Sequence, residues 1–272
     1  MNIDVVQRWH QRRDLYRPVG EPINPAHYEV AAIRDDRTAK DFVCQHHYSS
    51  TYPAARFRYG LYWGGLLVGV AVFSVPMQGA VLDCLPCPRE LAVELGRFVL
   101  LDRVPANGES WTIARCFELL RKEGIEGVVS FSDPVPRTDL SGTTVFVGHF
   151  GCVYRASNAA YLGRSTARTL RVMPNGHVLS ERALSKIRSR ERGWRYAAEQ
   201  LERAGAAPLS EHADARAWLA EWLPKLTRTL RHPGNLRYGF GLDRTVKKAL
   251  AKVGQPYPQI QIHKPRLITE AL

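Results

Sequence analysis

The 272-residue chain has no apolar run long enough to span a bilayer. Its longest nearly uncharged stretch, residues 59–82, is interrupted by Gly60, Gly64, Gly65, Gly69, Pro76 and Gly79, which predicts hairpin strands and excludes a membrane helix. Near the N-terminus, Arg8, Arg12 and Arg13 stand where a secretion signal would have its apolar segment, so a cytoplasmic location without a membrane partner is expected. The five cysteines, Cys44, Cys84, Cys87, Cys116 and Cys152, are odd in number and lack a disulfide rhythm, as in a reducing compartment. Cys84 and Cys87 have the spacing of a zinc knuckle or redox pair, but no second Cys or His pair follows to complete a tetrahedral site. Ser130 and Ser132 lack the flanking glycines of a nucleophile elbow, which argues against a serine hydrolase. Internal repeats and low-complexity tracts are also missing.

What is present is a globular composition, 45% hydrophobic and 24% charged, with a net charge of +12. That charge is unevenly spread. Residues 1–153 carry 16 Lys and Arg against 17 Asp and Glu, whereas residues 154–272 carry 22 against 9. Such an excess on one part of a chain suits a polyanion, because Lys and Arg that meet phosphates release condensed counterions. A solvated basic surface kept for solubility is the plainer alternative.

The first 25 residues read as a surface helix or arm. From His27 onward the pattern becomes regular. A strand around Val30 precedes a helix capped by Asp35 or Asp36 that runs toward His46-His47-Tyr48. Two strands flank Gly64-Gly65, whose freedom at positive φ suits a two-residue hairpin turn. A strand over 91–101 then leads to a helix in which Ile113, Cys116, Phe117 and Leu120 form one apolar stripe, with Asn107 as its cap and Gly124 as its end. The short strand 127–132 runs into Asp133-Pro134, and 169–179 reads as another hairpin, followed by helices over 180–192 and 194–204 and an amphipathic segment around Trp218 and Trp222. This order predicts an α/β fold built on a mixed sheet.

Several residues stand out for their chemistry. Adjacent helical positions point about 100° apart, so only one of His46 and His47 can face a site; a helix-terminal cation is the alternative role. Asp133 sits at a strand end before a proline, a place for either a working carboxylate or a turn former. His149 and Tyr154 follow among Gly148 and Gly151, which permit close approach to a ligand. Imidazole, phenol and carboxylate together can move protons or hold a hard metal such as iron, and the residues alone leave both open.

The ordered blocks His47-Tyr48-Ser49, Val93 to Leu100, Val129 to Pro134 and His149 to Asn158, followed by Tyr161 and Gly163, resemble the phage Mom DNA-modification family, whose fold is that of the GNAT acyltransferases. The resemblance covers roughly residues 28–165. It implies a GNAT-like mixed central sheet flanked by helices, and modification of adenine in double-stranded DNA at its exocyclic amine to a methylcarbamoyl-type adduct that protects phage DNA from restriction. It places the important positions at His47, Tyr48, Asp133 and Tyr154, with His46 replacing His47 if the helix register differs by one. It also implies an iron centre, to which His47 and Asp133 would contribute. GNAT enzymes that use acetyl-CoA hold its pyrophosphate on backbone N–H groups at a helix N-terminus. The corresponding stretch here, residues 104–109, contains Pro105, which lacks a donor, and Glu109, which opposes an anion, so acetyl-CoA is not expected as the donor.

The expected organisation is an N-terminal arm over 1–26, a GNAT-like catalytic domain over 27–179 and a basic, mostly helical DNA-contacting region over 180–272. In the expected mechanism, Asp133 or His47 takes the amine proton, Tyr154 serves the leaving group and Tyr48 positions the base. The target nucleotide must leave the duplex to be reached, and Tyr48, Tyr52 or Tyr161 would stack on it. His149, Asn158, Tyr161, Arg164, Lys186, Arg188, Arg190, Lys247 and Lys248 are expected to contact substrate or DNA. Two other functions use the same residues: acyl transfer to another amine, on a protein, a small molecule or another modified base, and DNA binding without catalysis.

Overall fold

The structure, a computed structural model, describes residues 5–10, 13–18, 20–49 and 51–259. In place of a surface helix, the N-terminal segment forms an antiparallel hairpin of β1 (Val5–His10) and β2 (Arg13–Pro18). Next come β3 (Tyr28–Ala32) and α1 (Asp36–His46). The Asp35 carboxylate accepts the N–H groups of Arg37 and Thr38 at 3.1 and 2.8 Å, as its cap position requires. Strands β4 (Ala55–Trp63) and β5 (Leu66–Ser74) are joined by Gly64 and Gly65 at φ +54° and +83°, the left-handed pair of a tight hairpin. Strand β6 (Ala92–Leu100), helix α2 (Gly108–Lys122) and strand β7 (Gly127–Ser132) form a βαβ unit. Beyond it lie β8 (Arg137–Thr138), β9 (Thr144–Phe146), α3 (Cys152–Ala156) and β10 (Ala160–Arg164). The chain continues through β11 (Arg168–Val172), β12 (Val178–Leu179), α4 (Glu181–Ser189), α5 (Trp194–Glu202), α6 (Ala215–Leu226) and β13 (Arg228–His232). It ends its described course with β14 (Leu236–Gly241) and α7 (Arg244–Val253).

These elements fall into two compact units. The first comprises Met1–Asp133, His149–Arg164 and Asn235–Leu272, and the second Pro134–Gly148 and Ser165–Gly234. The boundary expected after Leu179 therefore lies inside the second unit, and the region beyond 180 is not one extension. Strand β14 belongs to the central sheet, where it pairs with β7 on one edge and β10 on the other. Leu236, Tyr238 and Phe240 alternate into the core, a period-2 signal overshadowed in the sequence by the surrounding Arg and Lys.

The sheet of the first unit has seven strands in the order β10-β14-β7-β6-β5-β4-β3, and only β6 and β7 are parallel. This is the mixed α/β architecture expected from the sequence. Along β5, Ala71 and Phe73 pack with the α2 stripe of Ile113, Cys116 and Leu120, while Val70 and Val72 pack with Ala39 and Val43 of α1. Successive strand residues point to opposite faces, so α1 and α2 cover the two sides and β5 is apolar throughout. Asn107 sits at the cap position of α2, but its side chain accepts Ile23 N–H at 2.7 Å and makes no capping bond.

The second unit packs α4, α5 and α6 around Leu184, Ile187, Leu201, Leu209 and Leu219. Beside them is a three-stranded sheet in the order β12-β11-β13. Leu201 is fully buried among close-packed neighbours, so Leu201→Ala should lower the unfolding free energy by about 2–5 kcal/mol, through lost transfer energy and a residual cavity. Urea denaturation of the variant against the parent chain measures this.

Candidate active site

The parallel ladder between β6 and β7 ends early. Pairing runs from Ala92↔Gly127 to Leu95↔Ser130, yet β6 continues to Leu100 along β5 and β7 continues to Ser132 along β14. Each strand follows its antiparallel neighbour, and the two part. A bulge marks the parting: Val72 pairs with Arg97 and Phe73 with Leu95, leaving Gly96 as the extra residue. Without it, Leu95 and Arg97 would share a face. With it, Leu95 packs against α2 and Arg97 turns to the α1 side. A Cβ on Gly96 would approach Ser74 Oγ to 2.5 Å and Pro53 Cγ to 3.2 Å, so a larger residue at the bulge would have to displace one of them.

The opening is a cleft lined by Gly96 to Leu100 of β6, Phe131 of β7, His47 and Tyr48 after α1, and His149, Val153 and Tyr154 around α3. Its other end is bounded by Gln7, Arg8 and Glu109. Four of the residues expected from the sequence, His47, Tyr48, His149 and Tyr154, thus share one cleft wall, all within the first unit.

His47 lies just past α1, 6% exposed, with its ring 4.2 Å from that of Tyr48. Its Nδ1 accepts the Ser49 N–H at 3.1 Å, which assigns the proton of the neutral ring to Nε2. His149 is arranged alike, with Nδ1 accepting Gly151 N–H at 3.2 Å. Burial pushes the pKa of His149 down to about 4, opposed by the nearby Asp133 charge. Burial also holds that of His47 well below the usual range, reinforced by Arg97 and His149. At neutral pH both rings are uncharged N–H donors. His46 instead packs its ring on Phe42, with centroids 4.8 Å apart.

Tyr154 is buried, and its hydroxyl shares a hydrogen bond with Ser130, which donates to Leu95 O at 3.0 Å. Burial raises its pKa, so the phenol stays protonated. Asp133 ends β7, where its carbonyl accepts His149 N–H at 2.6 Å. It does not line the cleft, but its charge reaches His149. For iron, the fit is incomplete: among the described residues no three His, Cys, Asp or Glu side chains gather as a ligand set around His47 and Asp133. No step below is routed through a metal.

Arg97 was not among the expected site residues. Its Nε donates to Thr51 O at 2.8 Å and its Nη2 to Thr51 Oγ1 at 2.6 Å, beside Tyr48, Tyr154 and Glu94. The available signal was Gly96 inside an apolar strand, the mark of a bulge. Burial pulls the guanidinium pKa down and pushes that of Glu94 up.

Other expected contacts lie elsewhere. Tyr161 is a core residue, 8% exposed and packed on Tyr238 at 5.6 Å between centroids, because β10 turns that face inward; it cannot stack on a base there. Tyr52 donates its hydroxyl to Asp36 at 2.9 Å. Asn158, at φ +60°, and Arg164 are exposed on the first unit, as are Lys247 and Lys248 on α7. Lys186 and Arg188 are on α4 of the second unit and Arg190 caps its C-terminus, where it is occupied: it donates to Ser210 O and Ala213 O and lies 4.0 Å over Trp194. In that unit β11 and β13 also present Thr169, Arg171, Thr229 and Arg231 on one face, opposite the buried Leu170, Val172 and His232. Cys84 and Cys87 are free thiols, and burial pushes Cys87 up to about 11, far from a reactive thiolate.

The depressed pKa of His149 makes stability pH-dependent. Between pH 6.5 and about 4 the unfolded chain binds a proton that the folded chain refuses, so folding should weaken as pH falls through that window and level off below it. Urea midpoints from pH 7 to pH 4 should decline, and less steeply in His149→Gln than in the parent.

The chain matches the family model described as the Mom protein family over residues 27–259. A comparison with curated proteins finds no match. Among solved structures it is similar to a tandem GNAT protein from the clavulanic acid biosynthesis pathway, without AcCoA, at 10% identity and a TM-score of 0.43, over 79% of this chain and 99% of that one. It is also similar to a Bacillus subtilis acetyltransferase in complex with CoA, at 11% identity and a TM-score of 0.32, over 79% and 97%. The family match takes in every strand of the seven-stranded sheet and all four shared cleft residues. The chain belongs to the Mom protein family.

Proposed function

We propose that this protein modifies adenine in double-stranded DNA at the exocyclic amine, giving a methylcarbamoyl-type adduct that shields phage DNA from restriction enzymes. The observation that carries this reading is that His47, Tyr48, His149 and Tyr154, from distant stretches of a Mom-family chain, line one cleft where β6 and β7 part.

A base stacked in a duplex cannot reach such a cleft, so the target nucleotide is flipped out, at a cost of about a few kcal/mol. Tyr48, half-buried and packed on His47, offers it a ring to stack on. Asp133, which stands behind His149 and off the cleft wall, accepts the amine proton by way of a water molecule as the nitrogen attacks the donor. His47 keeps its proton on Nε2 and therefore serves as a hydrogen-bond donor, not the base. Arg97 stabilises negative charge that develops on the donor, and the Tyr154 phenol protonates the leaving group. In the first unit Lys247 and Lys248 on α7 contact the phosphate backbone; the second unit has basic residues of its own, Lys186 and Arg188 on α4 and the Thr169, Arg171, Thr229, Arg231 face, suited to the same polyanion. Paired strands with outward Arg and Thr are one of the ways proteins enter a DNA groove.

Plasmid DNA from bacteria expressing the chain should resist restriction enzymes whose sites contain adenine. Asp133→Ala and Tyr154→Phe should each cut the extent of protection at least ~100-fold while leaving DNA affinity nearly unchanged. Protection retained in Asp133→Ala would refute its role. Replacing Lys247 and Lys248 by Ala should weaken DNA binding for all sequences and lower the slope of log K against log salt by about 2, read from titrations at several salt concentrations.

A further inference from the structure

A helix N-terminus offers an anion its free backbone N–H groups, and the first turn of α2 closes one end of the cleft. Here most of those donors are already spent. Val104 N–H goes to Leu101 O at 3.1 Å, Pro105 has none, and Ala106 N–H goes to the Glu21 carboxylate at 3.2 Å. Asn107 N–H goes to Glu21 O at 3.5 Å and Gly108 N–H to Pro105 O at 2.9 Å. The Glu109 N–H faces its own carboxylate. The connection from β6 to α2 has turned its amides inward.

What it presents at that end is a set of acceptors gathered around a cation. The carbonyls of Leu101, Val104 and Pro105 converge on the Arg8 guanidinium at 3.0, 2.8 and 2.8 Å. Arg8 is only 2% exposed, and its Nε donates to the Glu109 carboxylate. Arg17 fastens the same connection through Glu21 and the Asp102 carbonyl. Three carbonyl dipoles and a carboxylate make a place for a cation, and the chain fills it with its own. Two oxygens nearby remain buried without a partner: Oε2 of Glu109 and, one turn along α2, Oγ1 of Thr112. Glu109, 8% exposed, borders the cleft with its charge balanced by Arg8, and its buried Oε2 is an unmet acceptor that only a hydrogen-bond-donating group would satisfy.

We propose that this end of the cleft is closed to diphosphate-bearing donors such as coenzyme A thioesters, and that the transferred group comes from a donor that meets Glu109 with hydrogen-bond-donating groups, such as an amide, ammonium or hydroxyl. The inference rests on the proposed transferase function and specifies its donor. Arg8, which fills this end, lies on β1 of the N-terminal hairpin, outside the residues 27–259 that match the family.

The test is calorimetric titration of the full-length protein with acetyl-CoA and with S-acetylpantetheine, which share the thioester and differ by the nucleotide diphosphate. Closure requires that acetyl-CoA bind no more tightly than S-acetylpantetheine, within about twofold, or that neither bind. An advantage of about tenfold or more for acetyl-CoA would overturn the proposal, because the diphosphate would then have found donors. Binding is read on the protein alone, without DNA, so absence of DNA modification would count against the transferase reading and leave this result standing.

Discussion

The site depends on how a single parallel strand pair comes apart. In β6 and β7 the ladder holds only from Ala92↔Gly127 to Leu95↔Ser130, since each strand is also bound along its outer edge to an antiparallel neighbour with its own twist. The Gly96 bulge adds one residue to β6 where the ladder ends. That residue reverses the face of everything after it, which puts Arg97 beside Thr51 and Tyr48 instead of in the α2 core. One small residue in a strand therefore determines both the opening and the charge within it.

One end of the cleft sets uncharged imidazole and phenol groups beside the Arg97 guanidinium, and the other is filled. Burial keeps both imidazoles unprotonated and the Tyr154 phenol protonated, so the chemistry there is that of hydrogen-bond donors held in place by Ser49, Gly151 and Ser130. At the filled end, Arg8 and Glu109 are buried together. A buried ion pair contributes little net stability once desolvation is counted, while removing one partner costs about 3–5 kcal/mol. The pair defines which molecules fit more than it strengthens the fold, and its bonds to three carbonyls make it hard to displace.

Local signals in the sequence were legible where a short stretch settles its own structure. Gly64-Gly65 forms its hairpin turn, Asp35 caps α1, and the stripe of Ile113, Cys116 and Leu120 faces the core. The sequence singled out His47, Tyr48, Asp133 and Tyr154, with His149 as a contact; the two histidines and two tyrosines line one cleft, and Asp133 stands off its wall behind His149. Features that depend on distant pairing were not legible. Arg8 meets Glu109 across 101 positions, and nothing near either residue announces the other. Strand β14 enters the sheet after an inserted unit of about seventy residues, and its alternation is short beside the basic residues around it. Tyr161 was expected as a residue to stack on a flipped base, but β10 pairing directs it inward against Tyr238. Arg97 required knowing that Gly96 is a bulge and not an ordinary strand residue.

The central claim is that the cleft between β6 and β7 receives an adenine and leaves it chemically altered. Mass spectrometry of nucleosides from plasmid DNA, isolated from cells expressing the intact chain and from cells expressing the Asp133→Ala form, tests it most directly. The account requires a heavier deoxyadenosine in the first sample and not in the second, with a mass increment that names the transferred group. Unaltered deoxyadenosine in both samples, from well-expressed and folded protein, or an equal amount of modified nucleoside in both, would contradict it.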